Sequence, residues 1–305
     1  MTAIIASSIV DADTLVPQVV ETDREERDIA KLIPWVFQHA HIATDDYTSR
    51  WPPEQRNFED FFYQLHTHHR LLGGSRDITL DGALTASETI TLPRKNWKVP
   101  TREYFTNFIR SQGMMLRVFM QAIYLNLEDV HEQGPTLWFP APETKNKYVI
   151  GGKRYAAIPE GAVMVGPQEQ PVPIISYVGW FDGQTWKEFL AEVLSIMLGQ
   201  LAANIRRRVQ DQEVYVIGLY GRYVYLARGF FTANLISRVH ARGCSEDEVF
   251  ELKFTRGYDL CLKEDWLAAM RVLTRLFRYL CSGSAKVGAL QDLLEAGVNG
   301  PHHID

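Results

Sequence analysis

Apolar residues recur at helical spacing in six segments, and this pattern predicts six helices. The strongest pattern spans residues 184–205, where large apolar side chains recur every three or four positions. Pro34 is expected to split the first helix, because proline lacks the backbone N–H, and Gly113 is expected to divide the third. The predicted helical segments are residues 23–41, 57–72, 101–133, 184–205, 232–243 and 262–283.

Short runs of β-branched and aromatic residues lie between these helices. KYVIGGKRYAAI places two glycines between two such runs, a pattern typical of a β-hairpin. Further strands are predicted for GAVMVG, VPIISYVGWF, EVYVIGLYG, RYVYLARGFF and DEVFELKF. From about residue 114 the order is helix, hairpin, two strands, helix and two strands. This order predicts an α/β or α+β fold with a mixed central sheet flanked by helices.

The remaining segments lack a clear period. We expect residues 1–22 to be a loose leader and residues 75–100 to be a loop that can carry short strands. Because no long Gly/Ser/Pro linker interrupts the chain, residues 1–140 are expected to be a helical region that packs on the core. Residues 141–285 would form the α/β core with its C-terminal helices, and residues 286–305 a tail. Whether the N-terminal region forms its own domain stays open.

Composition narrows the function classes only slightly. With 305 residues, 46% hydrophobic and 23% charged, the chain has the composition of an ordinary globular protein. Its formal net charge is -5 and its pI is near 6.0, whereas dedicated nucleic-acid-binding domains are usually basic. The overall charge therefore argues against tight non-specific nucleic-acid binding but leaves room for a local basic patch.

Cysteine usage and the N-terminal pattern predict an intracellular protein. Cys244, Cys261 and Cys281 are odd in number and have no CxxC spacing, which favours reduced, buried thiols. The first residues include no basic segment of the kind that opens a secretory signal. The apolar runs are far shorter than the roughly 20 residues that a membrane span needs. We therefore expect a cytoplasmic or nuclear protein without a membrane partner.

The middle of the chain resembles the PD-(D/E)XK nuclease-like superfamily in its core order of helix, three strands, helix and strand. The segment IPEGAVMVGPQEQPVPIISYVGWFDGQTWKEFLAEVLSIMLGQ carries the resemblance. In that family a proline–acid pair precedes one strand, an acid-x-lysine lies on the next, and the following helix often carries a glutamine. Here Pro159 and Glu160 stand at the first position, residues 174–180 at the second, and Gln200 in the helix. The later strands also resemble filamentous-fungal proteins of this broad kind.

The chain departs from the family at the acid-x-lysine position, where it has Tyr177, Val178, Gly179 and Trp180. In the family two acids bind a divalent metal, usually magnesium, through oxygen ligands. The metal and the lysine activate water and stabilise charge at the phosphate. Valine and glycine can do neither, and Glu160 alone would bind magnesium poorly. The resemblance therefore implies a non-catalytic or regulatory protein without a cofactor that binds a protein or nucleic-acid partner.

Two rearrangements would instead restore a magnesium-dependent nuclease. Glu188 and Glu192 are spaced i, i+4 on one helix face, so with Lys187 they could complete a site at Glu160. We favour the alternative that they form a solvated helix edge, as charged residues usually do. Residues 251–253 are a literal Glu-Leu-Lys, but they follow the predicted core and are interpreted as a chance match. Gln200 would contribute only in an active enzyme.

A basic segment suggests how nucleic acid could bind. Arg206, Arg207 and Arg208 end the strongest helix, and with Arg222 they could form a basic rim beside aromatic strands. Arginine and aromatic side chains together grip single strands by charge and stacking. Alternatively, the three arginines only complement the negative end of the helix dipole. A third function class is a structural or assembly module whose N-terminal aromatic helices and residues 263–283 dock a partner.

One group of histidines is close enough in sequence to suggest a metal site. His66 and His69 are expected to share a helix face while His68 points elsewhere. Zinc needs three or four converging ligands, and no cysteine or acid cluster with matching spacing lies nearby. A structural role is therefore favoured for these histidines.

Overall fold

The strands of the chain build a nine-stranded central sheet and a separate two-stranded hairpin, with helices on both sheet faces. The predicted fold class, a mixed central sheet flanked by helices, is thereby confirmed. The computed structural model describes residues 2–44, 46, 50–54, 56–71, 87–91, 106–130, 134–141, 145–167, 169–180, 184–205, 209–245 and 247–298.

Eleven strands lie in the described residues. They are β1 Thr2–Ile9, β2 Ser87–Thr91, β3 Leu137–Trp138, β4 Asn146–Ile150, β5 Lys153–Ala157, β6 Gly161–Val165, β7 Val172–Gly179, β8 Gln212–Tyr220, β9 Tyr223–Phe231, β10 Val249–Phe254 and β11 Tyr258–Asp259. The large sheet has the order β2-β1-β10-β9-β8-β7-β6-β3, with β11 paired to β9. The pairs β7–β8 and β1–β10 are parallel, and the other pairs are antiparallel.

Nine helices lie in the same described ranges. They are α1 Ala12–Leu15, α2 Thr22–Lys31, α3 Trp35–His39, α4 Glu59–Leu71, α5 Thr106–Leu125, α6 Trp186–Asn204, α7 Ala233–Arg242, α8 Lys263–Cys281 and α9 Gly288–Val298. From α5 onward the chain forms a helix, the antiparallel strands β3, β6 and β7, the crossover helix α6, and β8 parallel to β7. The β4–β5 hairpin is inserted between β3 and β6.

Two apolar cores lie on opposite faces of the sheet. On one face α1–α5, α8 and α9 contribute to one core that includes the fully buried Trp266 of α8, whose indole N–H donates to the carbonyl of Leu32 at 2.9 Å. On the other face α6 and α7 pack with the β4–β5 hairpin. The side chains of α6 are almost all buried, as expected of a helix covered on both sides.

Most predicted elements are confirmed, and their boundaries have local causes. Pro34 separates α2 from α3, as its missing N–H predicted. Gly151 and Gly152 form the hairpin turn with φ of 54° and 74°, backbone angles that glycine adopts at little cost. Thr185 begins α6 by accepting a hydrogen bond from the Glu188 N–H, and the Glu188 side chain completes the capping box.

Two predictions about the chain ends were wrong. Residues 1–22 are not a loose leader: β1 lies inside the large sheet between β2 and β10, and its Ile5 is fully buried. Residues 286–305 are not wholly a tail, because α9 extends to Val298 and its Leu290 is fully buried. The N-terminal region therefore adds strands to the sheet as well as helices around it.

The predicted break at Gly113 was also wrong, because α5 runs continuously from Thr106 to Leu125. A Cβ atom at Gly113 would lie 2.2 Å from the Glu160 carbonyl oxygen. The glycine lets the α5 backbone approach the residue before β6 closely. Its role is therefore close packing between a helix and a strand.

Buried ion pairs fasten α2 to α8. The Arg278 guanidinium binds the Asp28 carboxylate through two contacts of 2.5 and 2.8 Å, and Arg275 binds Glu25 at 2.7 Å. Asp28 and Glu25 are only 1% and 2% exposed. Because a buried charge that loses its partner is costly, these pairs strongly disfavour separation of the two helices.

We predict that Gly113→Ala destabilises the protein although alanine is the better helix former. The methyl group would overlap the Glu160 carbonyl, and such overpacking costs more than the roughly 1 kcal/mol gained in helix propensity. The free energy of unfolding, measured by chemical denaturation, is expected to fall by about 2 kcal/mol. The neighbouring Met114→Ala changes a partly exposed side chain and is the control. Equal stability of Gly113→Ala and the parent chain would contradict the packing role.

We predict that Asp28→Ala lowers the free energy of unfolding by about 3 kcal/mol, because it leaves Arg278 buried without its carboxylate. The matched control on the same helix is Glu26→Ala. Glu26 is paired with Arg271 but its side chain is 55% exposed, so we expect a loss of only about 0.5 kcal/mol. Similar losses in the two variants would refute a special role for the buried pair.

Candidate functional site

The two sequence positions that the resemblance identifies are neighbours in the sheet. Glu160 lies directly before β6, and its backbone N–H donates to the Tyr177 carbonyl on β7 at 3.0 Å. The next residue, Gly161, pairs with Tyr177 across the two strands. The half-buried Glu160 therefore adjoins the stretch of β7 where the family carries its acid-x-lysine.

Tyr177 fills the space beside the start of β6 with an aromatic ring. A Cβ atom at Gly161 would lie 2.9 Å from its ring carbon Cδ2, so the tyrosine packs directly over this glycine. Tyr177 is fully buried, and its hydroxyl makes no hydrogen bond within the described part of the chain. Burial raises the pKa of Tyr177 far above its usual range. The side chain is therefore neutral and cannot replace a metal-binding carboxylate.

Gln112 on α5 occupies the space that a side chain at position 179 would take. A Cβ atom at Gly179 would lie only 1.7 Å from the Gln112 oxygen Oε1. The amide Nε2 of the fully buried Gln112 donates to the Trp180 carbonyl at 3.2 Å and lies 3.1 Å from His68 Nε2. The space beside Gly179 is thus filled by a side chain from α5.

His68 supports this amide from α4. It is 2% exposed, and burial together with the nearby His69 lowers the pKa of His68 to about 4. His68 is the most buried of the three clustered histidines. His66 is also buried, and its ring centroid lies 6.3 Å from that of Phe62. These contacts agree with the structural role favoured from the sequence.

The charged residues at the start of α6 have separate environments. The Glu188 carboxylate accepts hydrogen bonds from the Thr185 backbone N–H at 3.0 Å and from its hydroxyl at 2.9 Å. Lys187 is exposed. Glu192 is 4% exposed and accepts a hydrogen bond from Gln184 Nε2 at 2.9 Å. The expected solvated edge is therefore wrong for the buried Glu192, whereas Glu188 is half-buried and bound in the helix cap.

Gln200 connects α6 to β7. Its amide Nε2 donates to the Ile174 carbonyl at 2.7 Å, and its Oε1 accepts from the Ser176 hydroxyl at 2.7 Å. Side chains alternate along a strand, and Tyr177 packs in the core on the side of α5 while Val178 packs under α6. Gln200 therefore lies on the opposite face of β7 from Tyr177, where it holds the backbone of the strand.

Among the described residues, no three histidine, cysteine or acidic side chains gather where they could hold a metal ion. The literal Glu-Leu-Lys at 251–253 lies on β10, which β8 and β9 separate from β7. It is thus remote from Glu160 within the sheet.

The predicted basic rim is described only at one residue, because Arg206, Arg207 and Arg208 lie outside the described residues. Arg222 forms a 2.8 Å ion pair with the buried Asp259. Its guanidinium also lies 5.7 Å from the centre of the Tyr223 ring. The positive charge of Arg222 is therefore largely balanced by its own neighbours.

Sequence reasoning missed Gln112 and its contact with His68. The sequence does not single out Gln112, because α5 also carries other polar residues, among them Ser111 and Gln121. Its role depends on burial and on the groups that accept from it, which only the fold brings together.

Comparison with known families and curated proteins gives no relative of this chain. No family model and no curated protein matches it. Within the described ranges, no helix has both the length and the apolar character needed to cross a membrane.

We predict that acid destabilises the protein through His68. The folded state resists protonation down to a pKa of about 4, whereas the unfolded chain takes up a proton near 6.5. Stability is therefore lost as the pH falls from about 6.5 towards 4, by up to about 3 kcal/mol. The free energy of unfolding should be measured across this range for the parent chain and for His68→Gln.

The difference in the free energy of unfolding between the parent chain and His68→Gln should shift against the parent chain as the pH falls. Other titrating groups are the same in both proteins, so their contributions cancel in this difference. The control is His69→Gln, which alters a half-buried neighbour on the same helix. A difference between parent and His68→Gln that does not change with pH would show that His68 is not held neutral by burial.

Proposed function

We propose that this chain is a non-catalytic or regulatory protein on a PD-(D/E)XK-like scaffold that binds a protein or nucleic-acid partner in the cytoplasm or nucleus. The observation that carries the proposal is that another side chain fills the space beside Gly179. The Gln112 amide takes the space of a side chain there, and the buried Tyr177 takes the place of the acid two residues earlier. The chemistry of this family needs an acid and a lysine at these places.

The strand order supports the scaffold part of the proposal. The family order of helix, three strands, helix and strand has a counterpart in α5, β3, β6, β7, α6 and β8. Glu160 precedes β6 and adjoins β7, which matches the family position of the proline–acid pair.

The acids of α6 favour loss of catalysis over a relocated nuclease site. The Glu188 carboxylate is committed to the helix cap, which stabilises the start of α6. Glu192 lies in the core on the α6 side of the sheet, bonded to Gln184. A magnesium site that Glu160 shares with Glu188 or Glu192 would compete with the cap in the first case and with this buried contact in the second.

A cleavage assay tests the proposal. The full chain is incubated with magnesium or manganese and with duplex DNA, single-stranded DNA or RNA. We expect no cleavage above the level of a Glu160→Ala preparation, because no lysine or second acid adjoins Glu160 at positions 177 and 179. A known metal-dependent nuclease under the same conditions is the positive control.

Metal-dependent cleavage that disappears in Glu160→Ala would overturn the proposal. In that case Glu188→Gln and Glu192→Gln, each close in size to the parent side chain, would show whether α6 supplies the missing ligands. Retained activity in both would place the chemistry elsewhere.

Binding measurements then decide the partner class. Fluorescence anisotropy with labelled DNA and RNA is compared between the parent chain and a variant with Arg206, Arg207 and Arg208 all changed to glutamine. If nucleic acid is the partner, the variant should bind about tenfold more weakly. Its affinity should also fall less steeply with salt concentration, by the slope that about three phosphate contacts contribute. Absence of nucleic-acid binding by the parent chain would favour a protein partner.

A further inference from the structure

A half-open apolar cavity lies on the α6 face of the sheet, away from Glu160. It is bounded by the second half of α6, by α7 and by β4, and its floor includes Phe231 and Phe250. Its free space is about 440 Å³, a figure that includes solvent at the open mouth. The cavity therefore suits one short chain or one ring.

The lining of this cavity is almost entirely hydrocarbon. Among the described residues that line it, only Tyr148 and His240 have polar side chains. The Tyr148 hydroxyl already forms a 2.7 Å hydrogen bond with Ser195, so this tyrosine presents mainly its ring. Water in such a space gives up hydrogen bonds without replacement, whereas an apolar group fills it favourably.

The walls are fixed without a ligand. The N–H groups of Gly151 and Gly152 in the hairpin turn donate to the Val239 and His240 carbonyls at the end of α7, at 3.0 and 3.4 Å. Gly151 also lies against Gly243, where a Cβ atom would meet the backbone at 3.2 Å. The hairpin is therefore held against α7 at a set distance from α6. A preformed cavity of this kind binds without a large cost of ordering.

The rim carries one polar group. His240 is exposed in the last turn of α7, and it shares the lining of the cavity with the half-buried Leu235 of α7, Ala202 of α6 and Ile205 just after α6. An imidazole can donate a hydrogen bond to a carboxylate. The polar end of an occupant would therefore lie at the rim and its apolar part in the cavity.

We propose that this cavity binds a small amphiphile, an alkyl chain or ring that ends in a carboxylate, with the apolar part between α6, α7 and the hairpin and the carboxylate at His240. The site is independent of the Glu160 region, which lies at the junction of β6 and β7.

The experiment uses the full chain and decanoate below its micelle concentration, with binding measured by isothermal titration calorimetry. We expect saturable binding at one site. Ala202→Phe places a ring at the mouth and should weaken binding about tenfold or more. Asn234→Phe is the matched control, because it adds the same ring to an exposed position of α7 outside the lining.

His240→Ala tests the carboxylate contact without disturbing the core. We expect it to weaken decanoate binding about threefold and to leave the binding of decanol, which carries no charge, unchanged. Equal losses for both ligands would show that His240 contributes only apolar surface, and would overturn the carboxylate part of the proposal.

A photoactivatable decanoate analogue locates the site without relying on any variant. After digestion, mass spectrometry should find the label on peptides that contain residues 146–150 or 231–240. Labelling elsewhere, lack of saturable binding, or unchanged binding in a correctly folded Ala202→Phe would each overturn the proposal. Circular dichroism and thermal unfolding establish that the variants are folded.

Discussion

The parallel pairing of β7 with β8 requires a crossover, and the helix that makes it is buried on both sides. α6 packs on the sheet and is covered by the β4–β5 hairpin, so its few polar side chains must find partners inside the protein. Gln200 binds the backbone of β7, Ser195 binds Tyr148 of the hairpin, and Asn204 donates to the Pro173 carbonyl at 2.7 Å. These contacts fix β7 and the hairpin relative to one helix. Both the region beside Glu160 and the apolar cavity depend on that arrangement.

The two faces of β7 differ in chemistry because one packs against α6 and the other against α5. The face towards α6 carries Ser176, whose hydroxyl is used by Gln200 for structural support. The face towards α5 carries Tyr177 and the bare Gly179, over which Gln112 lies. This stretch of β7 therefore presents an aromatic ring and a neutral amide on the α5 side, with no charged side chain at positions 177 to 180. A larger side chain at position 179 would meet Gln112.

Local signals predicted much of the fold, whereas contacts between distant segments could not be predicted. The hairpin turn at Gly151 and Gly152, the Pro34 boundary and the period of α6 depend on neighbouring residues only, so the sequence displays them. The strand character of residues 2–9 depends on pairing with β10, and the need for glycine at position 113 depends on the Glu160 carbonyl. Glu160 was chosen as a candidate because of its sequence motif, whereas Gln112 has no motif, because its role comes from the space left at Gly179.

The placement of β1 has a consequence for the order of events during folding. Ile4 pairs with Val249, and α2 is bound to α8, so these contacts join segments that lie very far apart in the sequence. Until they form, β1 and its apolar Ile5 lack the β10 neighbour, although β2 can already pair with the other edge of the strand. The meander from β6 to β9, whose strands are close in sequence, can assemble earlier. Closure of the sheet between β1 and β10 is therefore a late step in folding.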